Sequence, residues 1–503
     1  MVRITPLRRR YKALIVAFAL LIAIVLYVVN GARERVLPES QPPHHTVVPT
    51  TITPYLPFDM PTGSSSRKVF AHYVPWFVIS VDNLPADQDY YTTQLMNPNG
   101  ENGVHRAYGG LMRDRPMPRP PIKDPLWRDI DVATDISQAK SVGIDGFAVD
   151  VVDPSAQDDG INRVLEQARA IGGFAIQITA DMSGAAGTLN EADFARSFAP
   201  FLKAAAAQRL SDGRVVFGAF FAEHKPTSWW ATALDLLRTA YGVNVAFVPT
   251  FLDAASNLDA FASVSYGLSS WGTRYPAGVN PTNTEAGSAV DVIRRAHRLG
   301  RLWMQPVAYQ DNRPKQGRFE ESENGVTSRS AWRIAVDENA EWVNLITWND
   351  YAETTAFAPS AKHGWRLLDM AAWEIAVYKY GSPPEVRRET LYVSHRTQPF
   401  AARPSFPETQ LMHNTGLTPP RDTIEVESFA FAPATVVARV GDTWHLCDVP
   451  AGVGVCTFPL APGRISVMLS RDNVATVTVT SPFEVTDTPF VQDLQYVAGG
   501  GLR

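Results

Sequence analysis

Cysteine is nearly absent from this chain: 503 residues carry two, Cys447 and Cys456. A disulfide framework therefore does not hold it together, and the length is ample for a large buried core. The turn-rich spacer 448–455 lets the two arms fold back as a hairpin with the sulfurs opposite each other. A disulfide is permitted outside the cytoplasm; two buried free thiols are the alternative. Positive charge is scarce too, with 46 Lys and Arg against 51 Asp and Glu and a net charge of -5. No basic stripe with interleaved aromatics is present, so nucleic acid is not an expected partner. No Gly-x-Gly-x-x-Gly or phosphate loop follows an apolar run, which argues against nucleotides. Glu223, His224, His72 and Asp150 lack any metal-ligand spacing, so neither metal nor cofactor is expected. A Ser or Cys nucleophile motif is also missing.

What is present is a globular composition, 45% hydrophobic and 19% charged, with 12 Trp, 16 Tyr and 24 Phe. Stacking on sugar rings is one use for so many aromatics; ordinary core packing is the other. Arg8, Arg9, Arg10 and Lys12 precede an uncharged aliphatic run at 13–29. This is read as an uncleaved signal anchor that crosses a membrane through residues 13–29, with 1–30 as the basic stub and anchor. The body then lies outside the cytoplasm, in the periplasm or at the cell surface. Cleavage of the segment as a signal peptide would leave the body secreted. Residues 31–66 are Pro-rich, end in Gly63-Ser64-Ser65-Ser66, and read as a linker.

From residue 67 to about 385, short apolar runs alternate with amphipathic stretches. Strands are expected at 69–76, 146–152, 174–181, 215–223, 244–251, 263–271, 302–310 and 342–350. Helical patterns follow at 130–142, 161–171, 191–208, 227–241, 254–262, 286–299, 327–339 and 364–380. Eight strand-then-helix units argue for an α/β fold, a closed (β/α)8 barrel, with a doubly wound open sheet as the runner-up. Residues 386–503 change texture. Short alternating runs between Gly, Pro and Asp turns indicate an antiparallel β-sandwich, either structural or a sugar-binding accessory.

In a parallel barrel the chemistry sits where the strands run out. The run 343–348 ends in Asn349, Asp350 and Glu353, with Trp348 and Tyr351 interleaved. Two carboxylates three residues apart suggest an acid/base pair at an aromatic-walled sugar site. The other strand ends contribute His72, Tyr73, Trp76, Asp150, Asp181, Glu223, Trp271 and Tyr309 as substrate-binding candidates. Asp150 and Glu223 either position sugar hydroxyls or are tied to backbone amides. Carboxylates with aromatics and amides fit hydrolysis of a glycosidic bond, with a polysaccharide as partner.

The segment Trp348-Asn349-Asp350-Tyr351-Ala352-Glu353-Thr354 resembles the Trp-Asn-Asp-Tyr-Gly-Glu-Ser signature of glycoside hydrolase family 71, the α-1,3-glucanases or mutanases. Residues 69–73, 143–147, 217–230 and the tail segments 395–399, 448–453 and 471–473 are also similar to that family. The resemblance implies an endo-acting, inverting α-1,3-glucan hydrolase. The motif's acids fall on Asp350, taken as general base, and Glu353, taken as general acid. Ala352 stands where the signature has Gly, and Thr354 where it has Ser. A Gly at such a turn serves a left-handed backbone, so a reshaped loop and another substrate are expected alternatives. The basic segment and anchor suggest a bacterial envelope protein. Processing of another envelope exopolysaccharide, or glycan binding without catalysis, are the competing functions.

Overall fold

The computed structural model describes residues 55–155 and 160–503. The expected membrane segment 13–29 lies outside the described residues. Among the described residues no helix is long and apolar enough to cross a membrane.

Eight parallel strands close into a barrel: β1 (Lys68–Tyr73), β2 (Gly146–Val151), β3 (Ala175–Asp181), β4 (Val215–Phe220), β5 (Val245–Phe251), β6 (Gly267–Ser270), β7 (Leu302–Ala308) and β10 (Trp342–Ile346). β10 pairs with both β7 and β1, and this pairing closes the ring and removes the open-sheet alternative. β2, β4 and β10 are buried at every position, which is why they are continuous apolar runs rather than alternating ones. The helices wrap outside: α1 (Trp127–Ser141), α2 (Gly160–Ile171), α3 (Glu191–Lys203), α4 (Thr227–Tyr241), α5 (Ala254–Phe261), α6 (Ala289–Arg298), α7 (Val326–Asp337) and α8 (Arg366–Tyr380). Local chemistry sets their ends. Asn190, Asp253 and Ser288 cap α3, α5 and α6 by accepting a backbone N–H, and Gly242 and Gly381 close α4 and α8 in the left-handed conformation. α3 stops at Lys203 rather than at 208, because Ala204 leaves the helical region with ψ 146°. Several strands end earlier than the apolar runs suggest. β1 stops at Tyr73 and β10 at Ile346, so the polar residues beyond them ride on loops.

Two insertions rise above the C-terminal end of the barrel. Residues 77–125, between β1 and α1, carry three short helical turns. After β7 the chain makes a small hairpin, β8 (Asp311–Arg313) and β9 (Arg318–Glu320), to which β12 (His413–Asn414) adds a parallel edge.

The C-terminal part holds two four-stranded antiparallel sheets. One contains β11 (Thr390–His395), β13 (Thr423–Ala430), β16 (Gly452–Pro459) and β19 (Val497–Gly500); the other contains β14 (Ala434–Val440), β15 (Thr443–Val449), β17 (Ile465–Arg471) and β18 (Val474–Thr480). Cys447 on β15 and Cys456 on β16 form a disulfide with Cα atoms 6.1 Å apart, linking the two sheets. β11 and β19 escaped the sequence reading. β11 is buried throughout and shows no alternation, and β19 (Val-Ala-Gly-Gly) has no strand signature.

The sandwich is fastened to the barrel by charge and by rings. Arg366 of α8 donates to Glu425 and Glu427 of β13, and Arg329 of α7 reaches the same two carboxylates. Leu56 and Phe58, at the end of the Pro-rich stretch, are buried, and Phe58 packs on Trp373 and Phe429 at 5.2 and 5.9 Å.

Candidate active site

A cleft opens at the C-terminal end of the barrel. His72, Asp150, Asp181, Trp271, Asp350 and Glu353 line it from the strand ends, Trp76, Phe77 and Leu111 from the first insertion, and Arg313, Lys315 and Gln316 from the β8–β9 hairpin.

Four carboxyl groups share this space, and burial raises all of them above the usual carboxylate range. Asp150 is raised well above it by burial and then by the neighbouring charges of Asp181 and Asp350; its Oδ1 is buried without a hydrogen-bond partner. Asp181 is held at about 6, because donation from the Ser183 hydroxyl and N–H, both at 2.7 Å, opposes its burial. Asp350 is pushed well up by burial and by Glu353; its Oδ1 accepts the Glu353 N–H at 3.1 Å. Glu353 is raised by burial too, but its Oε1 lies 2.5 Å from Nη1 of the buried Arg313, which holds it back toward the anion. Arg313 also grips Asp311 with Nε and Nη2 at 2.6 and 2.5 Å, and Arg274 stands 3.7 Å behind Asp311. His72 is driven down to about 3 by burial, so its ring is neutral at ordinary pH. Its 3.8 Å approach to Asp150 is therefore a polar contact, not a charge pair.

The structure separates the other expected site residues from this cleft. Trp348 is fully buried in the core between strands and helices, with Nε1 donating to Asp135 at 3.0 Å and its ring 5.2 Å from Phe147. Tyr73 joins the same cluster and donates to Asp135 at 3.4 Å. Asn349 is a structural pin. It accepts from Val74 N at 2.7 Å and donates to the carbonyls of Val74 and Phe77 at 2.9 and 2.8 Å. Tyr351 packs behind the cleft with Tyr91 and Leu111. Tyr309 faces the sandwich, where its hydroxyl meets Arg366 at 2.5 Å and Ser394 at 3.2 Å. Glu223 accepts the backbone N–H groups of Leu252 and Asp253, both at 2.8 Å, and so joins two loops. Burial of the whole strand exit explains these corrections: the aromatic and amide residues around the acids hold the loop rather than line the groove. Among the described residues no group of His, Cys, Asp and Glu could hold a metal ion.

A profile of glycosyl hydrolase family 71 matches residues 126–496. The chain belongs to glycosyl hydrolase family 71. It is a glycosidase. The glucan endo-1,3-alpha-glucosidase agn1 of Schizosaccharomyces pombe is 24% identical over 392 residues, covering 73% of this chain and 89% of that protein. The ascus wall endo-1,3-alpha-glucanase of the same yeast is 24% identical over 240 residues, covering 46% of this chain and 54% of that protein. Among solved structures, the GH99 endo-alpha-mannosidase from Bacteroides thetaiotaomicron superposes with a TM-score of 0.47 at 12% identity, covering 62% of this chain and 97% of that one.

In this family 71 chain the left-handed residue of the signature loop is not Ala352 but Thr354, at φ 53°. Ala352 therefore carries no backbone strain. Thr354 does, at about 1–3 kcal/mol for a β-branched residue in that region. Its hydroxyl donates to the Glu353 carbonyl at 2.7 Å, directly beside the acid. Arg313 was missed from the sequence. It sits on a three-residue strand, too short for the alternation that would have marked its face.

Proposed function

We propose that this protein is an endo-acting, inverting hydrolase of α-1,3-glucan or a closely related α-glucan, with Asp350 and Glu353 as the acid/base pair. The observation that carries this reading is the asymmetry between two neighbouring carboxyls: Glu353 is paired with Arg313, while burial and the Glu353 charge favour the protonated form of Asp350. Two titratable groups whose surroundings push them apart are the acid and base of a glycosidase. The asymmetry reverses the roles taken from the motif. Asp350 donates the proton to the leaving glycosidic oxygen, and Glu353 draws the proton from the attacking water. The curated relatives named for α-1,3-glucan support the substrate. Asp150 and Asp181, raised beside the pair, bind sugar hydroxyls, and Trp76 and Trp271 offer ring faces at the cleft wall. Work outside the cytoplasm is consistent with the Cys447–Cys456 disulfide.

The test is hydrolysis of α-1,3-glucan by the wild type, Asp350→Asn and Glu353→Gln, with binding followed in parallel. The reading expects turnover lost by about 10²–10⁴-fold in each variant, as for removal of an acid or base, with binding kept. Unchanged turnover in either variant would sink it.

A further inference from the structure

One residue outside the barrel touches both walls of the cleft. The strap 406–412 lies between β11 and β13 and crosses over the two insertions. On one side the N–H groups of Thr409 and Gln410 both donate to the Ala107 carbonyl at 2.9 Å, in the insertion that brings Leu111 to the cleft. On the other, the Gln410 side-chain Nε2 donates to the carbonyls of Pro314 and Lys315 at 2.9 and 2.8 Å, in the hairpin turn that brings Lys315 and Gln316 to the cleft. Its neighbours anchor the strap. Glu408 receives Nη2 of the buried Arg113 at 3.2 Å and the Gln492 N–H at 2.8 Å, and His413 N donates to the Gly317 carbonyl at 3.0 Å. Arg113 in turn gathers the carbonyls of Tyr108, Gly109 and Gly110. The hairpin turn held in this way follows directly on Arg313, the partner of Glu353.

We propose that Gln410 is a positioning residue that sets the width of the cleft between Leu111 and Lys315, and through it the length of α-glucan chain the enzyme accepts and releases. This rests on the α-glucan reading for the identity of the chain but not for the clamp itself. Side-chain hydrogen bonds to two carbonyls of a tight turn are lost in Gln410→Leu, which keeps nearly the same volume. Gln410 touches none of the four carboxyls, so the proton chemistry should survive its loss.

The experiment compares the full chain as wild type, Gln410→Leu and Gln410→Lys, the last keeping a donor of similar reach. Amide hydrogen exchange is measured at 106–112 and 315–317, and KM, kcat, their pH dependence and product lengths are measured on α-1,3-glucan oligosaccharides. In Gln410→Leu the exchange of the hairpin turn should rise about tenfold, the effect of losing one or two net hydrogen bonds, while 106–112, held by backbone N–H groups that the substitution keeps, exchanges as in the wild type. KM should rise and the product lengths should broaden, while kcat and the pH profile stay as in the wild type. Gln410→Lys should recover part of each effect. Equal exchange of the hairpin turn in wild type and Gln410→Leu overturns the clamp, whatever the substrate. Faster exchange with unchanged KM and product lengths overturns its role in chain length. A wild type that leaves the oligosaccharides intact sinks the α-glucan reading, and exchange still decides the clamp.

Discussion

Arg313 is the residue that holds Glu353 toward the anion. A buried guanidinium beside a carboxylate favours the anion, and here it opposes the burial that raises Glu353. Arg313→Leu removes that opposition, so the pKa of Glu353 rises further. In its proposed role Glu353 is the base and must be ionised to act, so the acidic limb of kcat/KM should move to higher pH, with a loss of about 10²-fold near neutrality. Arg313→Lys, which keeps the charge without the fork, should shift the limb less. A pH–rate profile of the three proteins between pH 4 and 8 checks this; superimposable acidic limbs would contradict it. That Asp350 and Glu353 stand at the mouth of the barrel could be read from the chain, because the apolar run before them ends there. Arg313 could not, because a three-residue strand leaves no periodic trace. Trp348 and Tyr351 misled because an aromatic beside an acid looks the same whether it faces a sugar or a core.

At the scale of the element, the loop after β10 shows how the acids are held in place. Asn349 ties it to the segment after β1 with three buried hydrogen bonds to Val74 and Phe77. Asn349→Ala leaves the Val74 N–H and the Phe77 carbonyl without partners, while the Val74 carbonyl keeps the Phe77 N–H at 3.2 Å, at a cost of about 2–4 kcal/mol. Thermal melting should show a lower midpoint, and kcat should fall because Asp350 and Glu353 follow directly. A variant as stable and active as the wild type would show the pin to be dispensable. The strands and helices of the barrel were readable because apolar runs and the 3.6-residue period survive burial on both sides. The loop's internal geometry was not. The Gly-to-Ala change in the motif pointed to strain at 352, whereas the left-handed position falls on Thr354, two residues on.

At the scale of the whole molecule, buried carboxyls make stability depend on pH. Asp114, Asp181 and Asp369 are raised to about 6, and Asp135 and Glu374 to about 7, all chiefly by burial. A group raised in the folded state contributes stability that is full below its unfolded pKa and lost as pH rises through the folded one. His72 and His363, lowered to about 3, and His395, lowered to about 4, act oppositely below their unfolded value of 6.5. The carboxyls outnumber them, so the thermal midpoint should fall between pH 5.5 and 7.5; a rise across that window would contradict the balance. The disulfide belongs to this scale as well. Replacing Cys447 and Cys456 by Ser opens a short loop between the two sheets and should cost the sandwich about 2–3 kcal/mol, seen as a lower unfolding midpoint. An unchanged midpoint would show the bridge to be idle. The domain texture was visible in the chain from its prolines and short alternating runs. The joining of sandwich to cleft through the strap at 406–412 was not, because contacts between residues about 100–300 positions apart leave no local pattern.

The central claim is inversion at an α-glucosidic bond by Asp350 and Glu353. It is tested most directly by following the anomeric protons of fresh products by NMR while the enzyme cleaves a soluble α-1,3-glucan oligosaccharide. Inversion needs a water between the carboxyls, at a separation of roughly 6.5–9.5 Å. The first product signal should be the β-anomer, absent in Asp350→Asn and Glu353→Gln. An α-anomer appearing first would contradict the account and assign one of the two carboxylates as a nucleophile.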